Sequence, residues 1–196
     1  SPAPLDLGAF RVLDLTSLWA GPLATRLLVD AGIPVTKVDA NCRPDGFRER
    51  PTLYRHLNRG KTIVDLDLRA PSDRRIFEQL VADADLLIES FSRRVLPNLG
   101  YDREALHDIN PGLATLSIVG FPTGTAEQDW LTYGSGAHAI SGLGLRTGRA
   151  RAAAVAYPDP LTGYTAFRHA LEMLDTSDHA EVALIDAAMA VAEASP

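Results

Sequence analysis

The chain has 196 residues, 46% of them hydrophobic and 22% charged, and a formal net charge of −6. That balance belongs to a globular domain and excludes a disordered or fibrous chain, and the acidity argues against non-specific nucleic-acid binding. No apolar run reaches membrane-spanning length, and the single cysteine, Cys42, excludes an internal disulfide and a cysteine-held zinc. One folding unit in a reducing, cytoplasmic setting is the expectation. The opening SPAPLDLG has neither a methionine nor a charged-then-apolar leader, which suggests a processed, excised or tagged chain rather than a secreted one.

In chain order, FRVLDL (10–15) reads as a strand, and AGPLATRLLVDAGI (20–33) as a helix with Pro22 near its start and Gly32 at its stop. PVTKVD (34–39) reads as the next strand, completing a βαβ unit. The alternation returns with a strand over 62–68, a helix over 72–84 opened by APS, a strand over 85–90, a helix near 102–109 and a strand over 113–121. Strands separated by helices predict a Rossmann-like open parallel sheet with helices on both faces and right-handed crossovers.

Residues 9–121 thus form a βαβ core, and beyond Phe121 the texture changes. PTGTAEQD is a loop, 130–145 is a helix of closely spaced small residues, and a basic loop with Arg146, Arg149 and Arg151 runs to 158. Residues 160–174 predict an amphipathic helix, HAEVALI a strand and DAAMAVAEA a closing helix. A second basic stretch, Arg43 to Lys61, carries six cations against two anions, enough to hold a phosphorylated small molecule or simply to be solvated.

Common signatures are absent. The turn after the first strand is LTSLWAGP rather than a G-x-G-x-x-G dinucleotide fingerprint, and the chain has no phosphate loop of the NTPases. YGSGA lacks the leading glycine of a hydrolase nucleophile elbow, and the five histidines lack metal-ligand spacing, so no metal is expected. His138, among the small residues, reads as a packed helix histidine. Asp159, in YPDPLTG, reads as the N-cap of a helix opened by Pro160. A carboxylate held there by a stiff backbone also suits a nucleophile, and the two roles are compatible.

Several blocks together resemble the class III CoA-transferases, the family of formyl-CoA transferase, carnitine CoA-transferase and α-methylacyl-CoA racemase. They are VLDLTSLWAGPLATRLLVDAGIPVTKVD (12–39), LNRGKTIVDLDLRAP (57–71) with its N-x-x-K-x-x-x-x-L-D-L pattern, ADLLIESF, LGYDREALHDINPGLATLSIVGF, DPLTGYTAF and HAEVALIDAA, in the family's order. The resemblance implies that Asp159 attacks an acyl-CoA thioester, passing through a mixed anhydride and an aspartyl-CoA thioester before a small carboxylic acid takes the CoA. It also implies that acyl-CoA lies against Trp19 and Ala20 in the first turn, Leu68 and Arg69 after the third strand, and Ser90 and Phe91 in the ESF turn. Arg93 and Arg94 would meet phosphates.

The chain departs from the family pattern at Ala40 and Asn98, where basic residues are common, with Arg43, Arg93 or Arg94 as substitutes. Tyr133 stands where the racemase branch has a histidine, which disfavours racemization. Family members are longer, with a smaller C-terminal domain that is lacking here. The expectation is therefore a truncated or half-length member, paired as a homodimer or heteromer with a chain that supplies the rest. A non-catalytic scaffold half is the alternative, and a different nucleotide-binding enzyme of Rossmann-like topology the third reading.

Overall fold

The computed structural model describes residues 6–40, 44–145, 149 and 151–194. Cys42, Arg43 and Arg146, named above, lie outside them.

Six strands form one sheet in the order β3-β2-β1-β4-β5-β6, every neighbouring pair parallel. They are β1 (Val12–Leu15), β2 (Val35–Asp39), β3 (Thr62–Asp65), β4 (Leu86–Glu89), β5 (Ala114–Val119) and β6 (His179–Ala183). The helices are α1 (Ala20–Asp30), α2 (Pro51–Asn58), α3 (Pro71–Ala82), α4 (Val95–Asn98), α5 (Arg103–Ile109), α6 (Gly134–Ile140), α7 (Pro158–Met173) and α8 (Leu184–Ala194). The chain reverses its direction of winding between β1 and β4, and in such sheets the crevice beyond the carboxyl ends of those two strands is where ligands bind.

Pleating sends alternate strand residues into two apolar layers. Val12, Leu86, Ile88, Leu116 and Val182 meet α1, α7 and α8 on one face. Leu13, Leu15 and Leu87 meet Phe77, Val81 and Leu106 of α3 and α5 on the other. The central strands β1, β4 and β5 are near-continuous apolar runs because both faces are covered, whereas the edge strand β3 is mostly exposed.

Charged strand residues break that rule, Asp14 of β1 and Lys37 of β2 most completely. Asp14 lies on the α1 side of β1, fully buried. Its Oδ1 accepts from the Thr16 N–H at 2.8 Å and the Thr16 hydroxyl at 2.6 Å, and its Oδ2 from Thr25 at 2.6 Å and Lys61 Nζ at 3.0 Å. Lys61 Nζ also donates to the Pro22 carbonyl and to Asn58 Oδ1, each at 3.0 Å, so all three ammonium hydrogens have acceptors. Burial pushes Asp14 upward, but Lys61 and Lys37 outweigh it and leave the carboxyl well below its usual range. Burial likewise draws Lys61 down from the usual lysine value against the pull of Asp14.

The structure corrects several boundaries. Residues 51–58 and 95–98 are helices that the sequence pattern does not mark. The small-residue stretch is helical only over Gly134–Ile140, followed by a 3-10 turn at Leu143–Leu145, since α6 already ends at Ser141 and Gly142 takes a φ of 73°. The helix expected from 160 begins at Pro158. Both prolines fit within its first turn, where the missing N–H groups have no helical acceptor anyway.

Candidate active site

The crevice is built from three loops and two helix starts. After β1 the chain runs Thr16, Ser17, Leu18, Trp19 into α1, and the Ser17 N–H donates to Ser90 Oγ at 3.1 Å, tying this turn to the one that follows β4. The turn is tight, and Leu18 takes a left-handed φ of 67°. Trp19 is half-buried and Ala20 buried.

α7 lies along α1, and Gly163 sets how closely. A Cβ there would stand 2.7 Å from the Ala20 carbonyl oxygen, so only glycine lets the two backbones approach. Asp159 is four residues earlier on the same helix face, which places it one turn nearer the mouth of the crevice.

Asp159 is therefore not the N-cap of its own helix. Tyr157 occupies that position, without a side-chain bond, and Asp159 is the second helical residue. Its carboxylate reaches across to α6 and faces the Gly134 N–H, while the Asp159 N–H donates to the Ala156 carbonyl at 3.1 Å. The N-cap of α6, Tyr133, supplies no side-chain bond, so Asp159 does from a distance what a cap does locally. Gly134 is required here, because a Cβ would collide with the Asp159 carboxylate.

The two helices are locked in the reverse sense by His138. It is buried on α6, with Nδ1 3.1 Å from the Tyr157 hydroxyl and Nε2 3.2 Å from the Arg151 carbonyl. A carbonyl only accepts, so Nε2 carries a hydrogen. His138 is the packed helix histidine that the sequence predicts, and it anchors the residue two before Asp159.

Burial pushes the Asp159 carboxyl above the ordinary carboxylate range, against the pull of the Gly134 and Asp159 N–H groups. A group whose folded pKa is raised favours the protonated fold, and the stability it contributes at low pH is lost as pH rises through that value. The ionised form, which alone is nucleophilic, appears over the same interval. Ionisation of Asp159 is therefore expected above the range of a solvent-exposed aspartate, and a titration followed at that carboxyl in the folded protein would check it.

The other residues expected at the site divide into two groups. Leu68 is half-buried, packed against the layer on the α3 side, and Phe91 joins the same layer. The Phe91 N–H donates to Glu89. Ser90 holds Ser17, as described. These positions lie with Trp19 and Ala20 at the carboxyl edge of the sheet.

The arginines are arranged differently. Arg93 pairs with Glu181 of β6 and donates to the Phe121 carbonyl at 3.0 Å and the Gln128 carbonyl at 3.2 Å. It lines a cavity of about 190 Å³ in which Glu89, Ser117, His179 and Glu181 share the wall with Leu87, Leu96, Leu106 and Val119. Burial raises Glu181, but the bonds from Arg93 and Thr123 outweigh it and bring the carboxyl down to about 2. Its guanidinium is thus committed to an acid that sequence inspection had no means to pair with it. Arg69 is exposed and pairs with Asp67 at 2.9 Å. Arg94 is exposed at the start of α4.

The basic stretch, read as a possible phosphate site or as solvated charge, is in part structural. Lys61 is consumed by Asp14, and Arg48 bridges Asp39 at 2.8 Å and Asp65 at 2.9 Å. Arg55 donates to the Pro51 carbonyl. Among the described residues no group of three or more His, Cys, Asp or Glu is disposed to hold a metal ion, and no helix is long and apolar enough to cross a membrane.

Known proteins resemble this chain in sequence and in fold. The chain is 32% identical to the succinate–glutarate CoA-transferase of Agrobacterium fabrum over 94% of its own length and 52% of that protein. It is 34% identical to the succinyl-CoA–D-citramalate CoA-transferase of Chloroflexus aurantiacus over 75% of its length and 38% of that protein. Among solved structures, a hypothetical protein of Mycobacterium tuberculosis superposes with a TM-score of 0.87 at 27% identity, covering 99% of this chain and 59% of that one. A CaiB/BaiF family protein of Brucella suis superposes equally well, with a TM-score of 0.87 at 28% identity over 95% of this chain and 55% of that one. The chain spans about half the length of these relatives. Residues 7–195 match the model of CoA-transferase family III, and with the sheet order and these relatives that match makes the chain a member of that family.

Proposed function

We propose that this chain is the nucleophile-bearing part of an acyl-CoA:carboxylate CoA-transferase working in the cytoplasm through a covalent intermediate on Asp159. The observation that carries the reading is the position of that carboxylate: on the first turn of α7, against Gly134 at the start of α6, on the helix whose Gly163 packs on the Ala20 carbonyl just after β1, where the sheet reverses. Two of the relatives named above are CoA-transferases, of succinate and glutarate and of succinyl-CoA and D-citramalate, which makes acyl-CoA and a small carboxylic acid the substrates to test first.

In the first step an Asp159 oxygen attacks the thioester carbonyl, the C–S bond breaks, and CoA leaves as thiolate with a mixed anhydride behind it. The thiolate attacks the aspartyl carbonyl and releases the first acid as its carboxylate, giving aspartyl-CoA. An acceptor carboxylate then attacks that thioester, and the thiolate it expels returns to the acceptor's acyl group. New acyl-CoA departs and Asp159 is regenerated. Each step exchanges activated acyl groups of similar energy, so no step needs an external energy source. The backbone bond from Gly134 fixes the carboxylate in place beforehand, which removes the orientational cost of the first attack.

Trp19, Ala20, Leu68, Arg69, Ser90, Phe91, Arg93 and Arg94 are assigned to CoA in this reading, with Trp19, Ala20, Ser90 and Phe91 best supported because they border the crevice. Arg93 takes part only if Glu181 releases it. A homodimer or a heteromeric chain completes the site.

Trapping tests the intermediate. Incubation with succinyl-CoA followed by hydroxylamine should convert Asp159 to its hydroxamate, and borohydride should reduce it to the alcohol, both read by peptide mass spectrometry. An unmodified Asp159 in a preparation that transfers CoA would remove the covalent mechanism. The scaffold alternative predicts instead that Asp159→Ala leaves the activity of the complete assembly unchanged.

A further inference from the structure

Leu18 is the one non-glycine residue with positive φ among those described, and it lies in the turn that borders the crevice. A leucine holds a left-handed backbone only where its surroundings fix it. Those surroundings are charged and come from beneath. The Leu18 N–H points at the Asp45 carboxylate, 3.1 and 3.2 Å from its two oxygens, and the same carboxylate accepts from the Phe47 N–H at 2.8 Å. Lys37 Nζ is 3.9 Å from Asp45 and donates to the Thr16 carbonyl at 2.5 Å. Lys37 and Asp45 are both buried, their side chains 0% and 1% exposed.

Residues from three other segments therefore grip consecutive positions of one turn: Lys37 of β2 at Thr16, Ser90 at Ser17, and Asp45 at Leu18. A carboxylate and an ammonium group taken out of water this completely are costly unless each is bonded, and here the bonds go to the backbone of the turn. We propose that Asp45, backed by Lys37, is a positioning residue that holds Leu18 left-handed, so that Trp19 and Ala20 enter α1, where Ala20 packs on Gly163 of α7, in the geometry that seats CoA. The inference rests on the CoA-transferase reading of this site for its ligand, and on the turn itself for its mechanism.

The chain has two tryptophans, so a Trp130→Phe background leaves Trp19 as the reporter. In that background acrylamide quenching of Trp19 and calorimetric CoA binding are compared for the parent, for Asp45→Ala and for Asp45→Ala with Leu18→Gly. The single variant should raise the quenching constant and weaken CoA binding on the order of tenfold, the scale of one strained backbone residue set free. Glycine adopts positive φ without penalty, so the added Leu18→Gly should restore most of both. Asp45→Asn keeps an acceptor for Leu18 but gives up the charge facing Lys37. It should fall between parent and alanine, and it carries the test if the alanine variant does not fold. Unchanged Trp19 quenching in the single variant, or a double variant no better than the single, overturns the proposal. A parent that shows the expected Trp19 responses without binding CoA supports the positioning of the turn and removes the CoA reading instead.

Discussion

Asp159→Asn is expected to abolish CoA transfer, by about 10³-fold or more, while leaving the melting temperature unchanged or slightly higher. The amide has nearly the same shape and keeps an oxygen for the Gly134 N–H, so the junction of α6 and α7 survives. It cannot form an anhydride, so the first covalent step is lost. The stability half of the expectation follows from the sign of the pKa shift. Burial raises the Asp159 carboxyl, which means that the fold disfavours its charge at neutral pH, and a neutral substitute removes that penalty. A residue kept only as a helix cap behaves the other way, because losing a cap costs about 1 kcal/mol and leaves chemistry alone. Steady-state assay and thermal melts of the same two proteins separate these cases. Retained activity with lowered stability would make Asp159 a cap and nothing more.

Lys61→Met is expected to be the most damaging single substitution in the β3-β2-β1 half of the sheet, at about 3–5 kcal/mol. Methionine matches the lysine stem in length and apolar bulk, so packing is conserved. What changes is electrostatic: Asp14 stays buried with no cation on its Oδ2, and the Pro22 carbonyl and Asn58 Oδ1 lose their donor. The pair also sets the pH response. Asp14 has its folded pKa lowered, so its contribution is present above the unfolded aspartate value and is lost as pH falls toward the folded one. Chemical denaturation at neutral pH reads the loss directly. Replacing both partners, as Lys61→Met with Asp14→Leu, should recover part of it, since an apolar pair avoids the unpaired charge. A single variant within 1 kcal/mol of the parent would show that water reaches Asp14.

The site owes its rigidity to an exchange of duties between helices. Asp159 of α7 satisfies the start of α6, and His138 of α6 holds the Tyr157 that starts α7. Neither contact uses residues close in sequence. The same holds for Arg93 and Glu181, separated by 88 positions, and for Lys61 and Asp14, separated by 47.

That separation marks the boundary of what the linear chain discloses. Apolar runs of four to six residues alternating with amphipathic stretches determine a parallel sheet with helices on both faces, because backbone hydrogen bonding and burial act over a few residues at a time. The order of blocks from VLDLTSLWAGP to DPLTGYTAF likewise points to the family and to Asp159 as the acid of interest. Short helices at 51–58 and 95–98 escape notice, since the first has a single apolar stripe among charges and the second is one turn long. Only the tertiary structure decides which charges are spent and which face the crevice. A buried charge must find its counter-charge wherever the fold brings one, so Lys61, Arg48 and Arg93, alike in the sequence as basic residues that could meet a phosphate, become structural ties, and Asp159 becomes the cap of a helix other than its own.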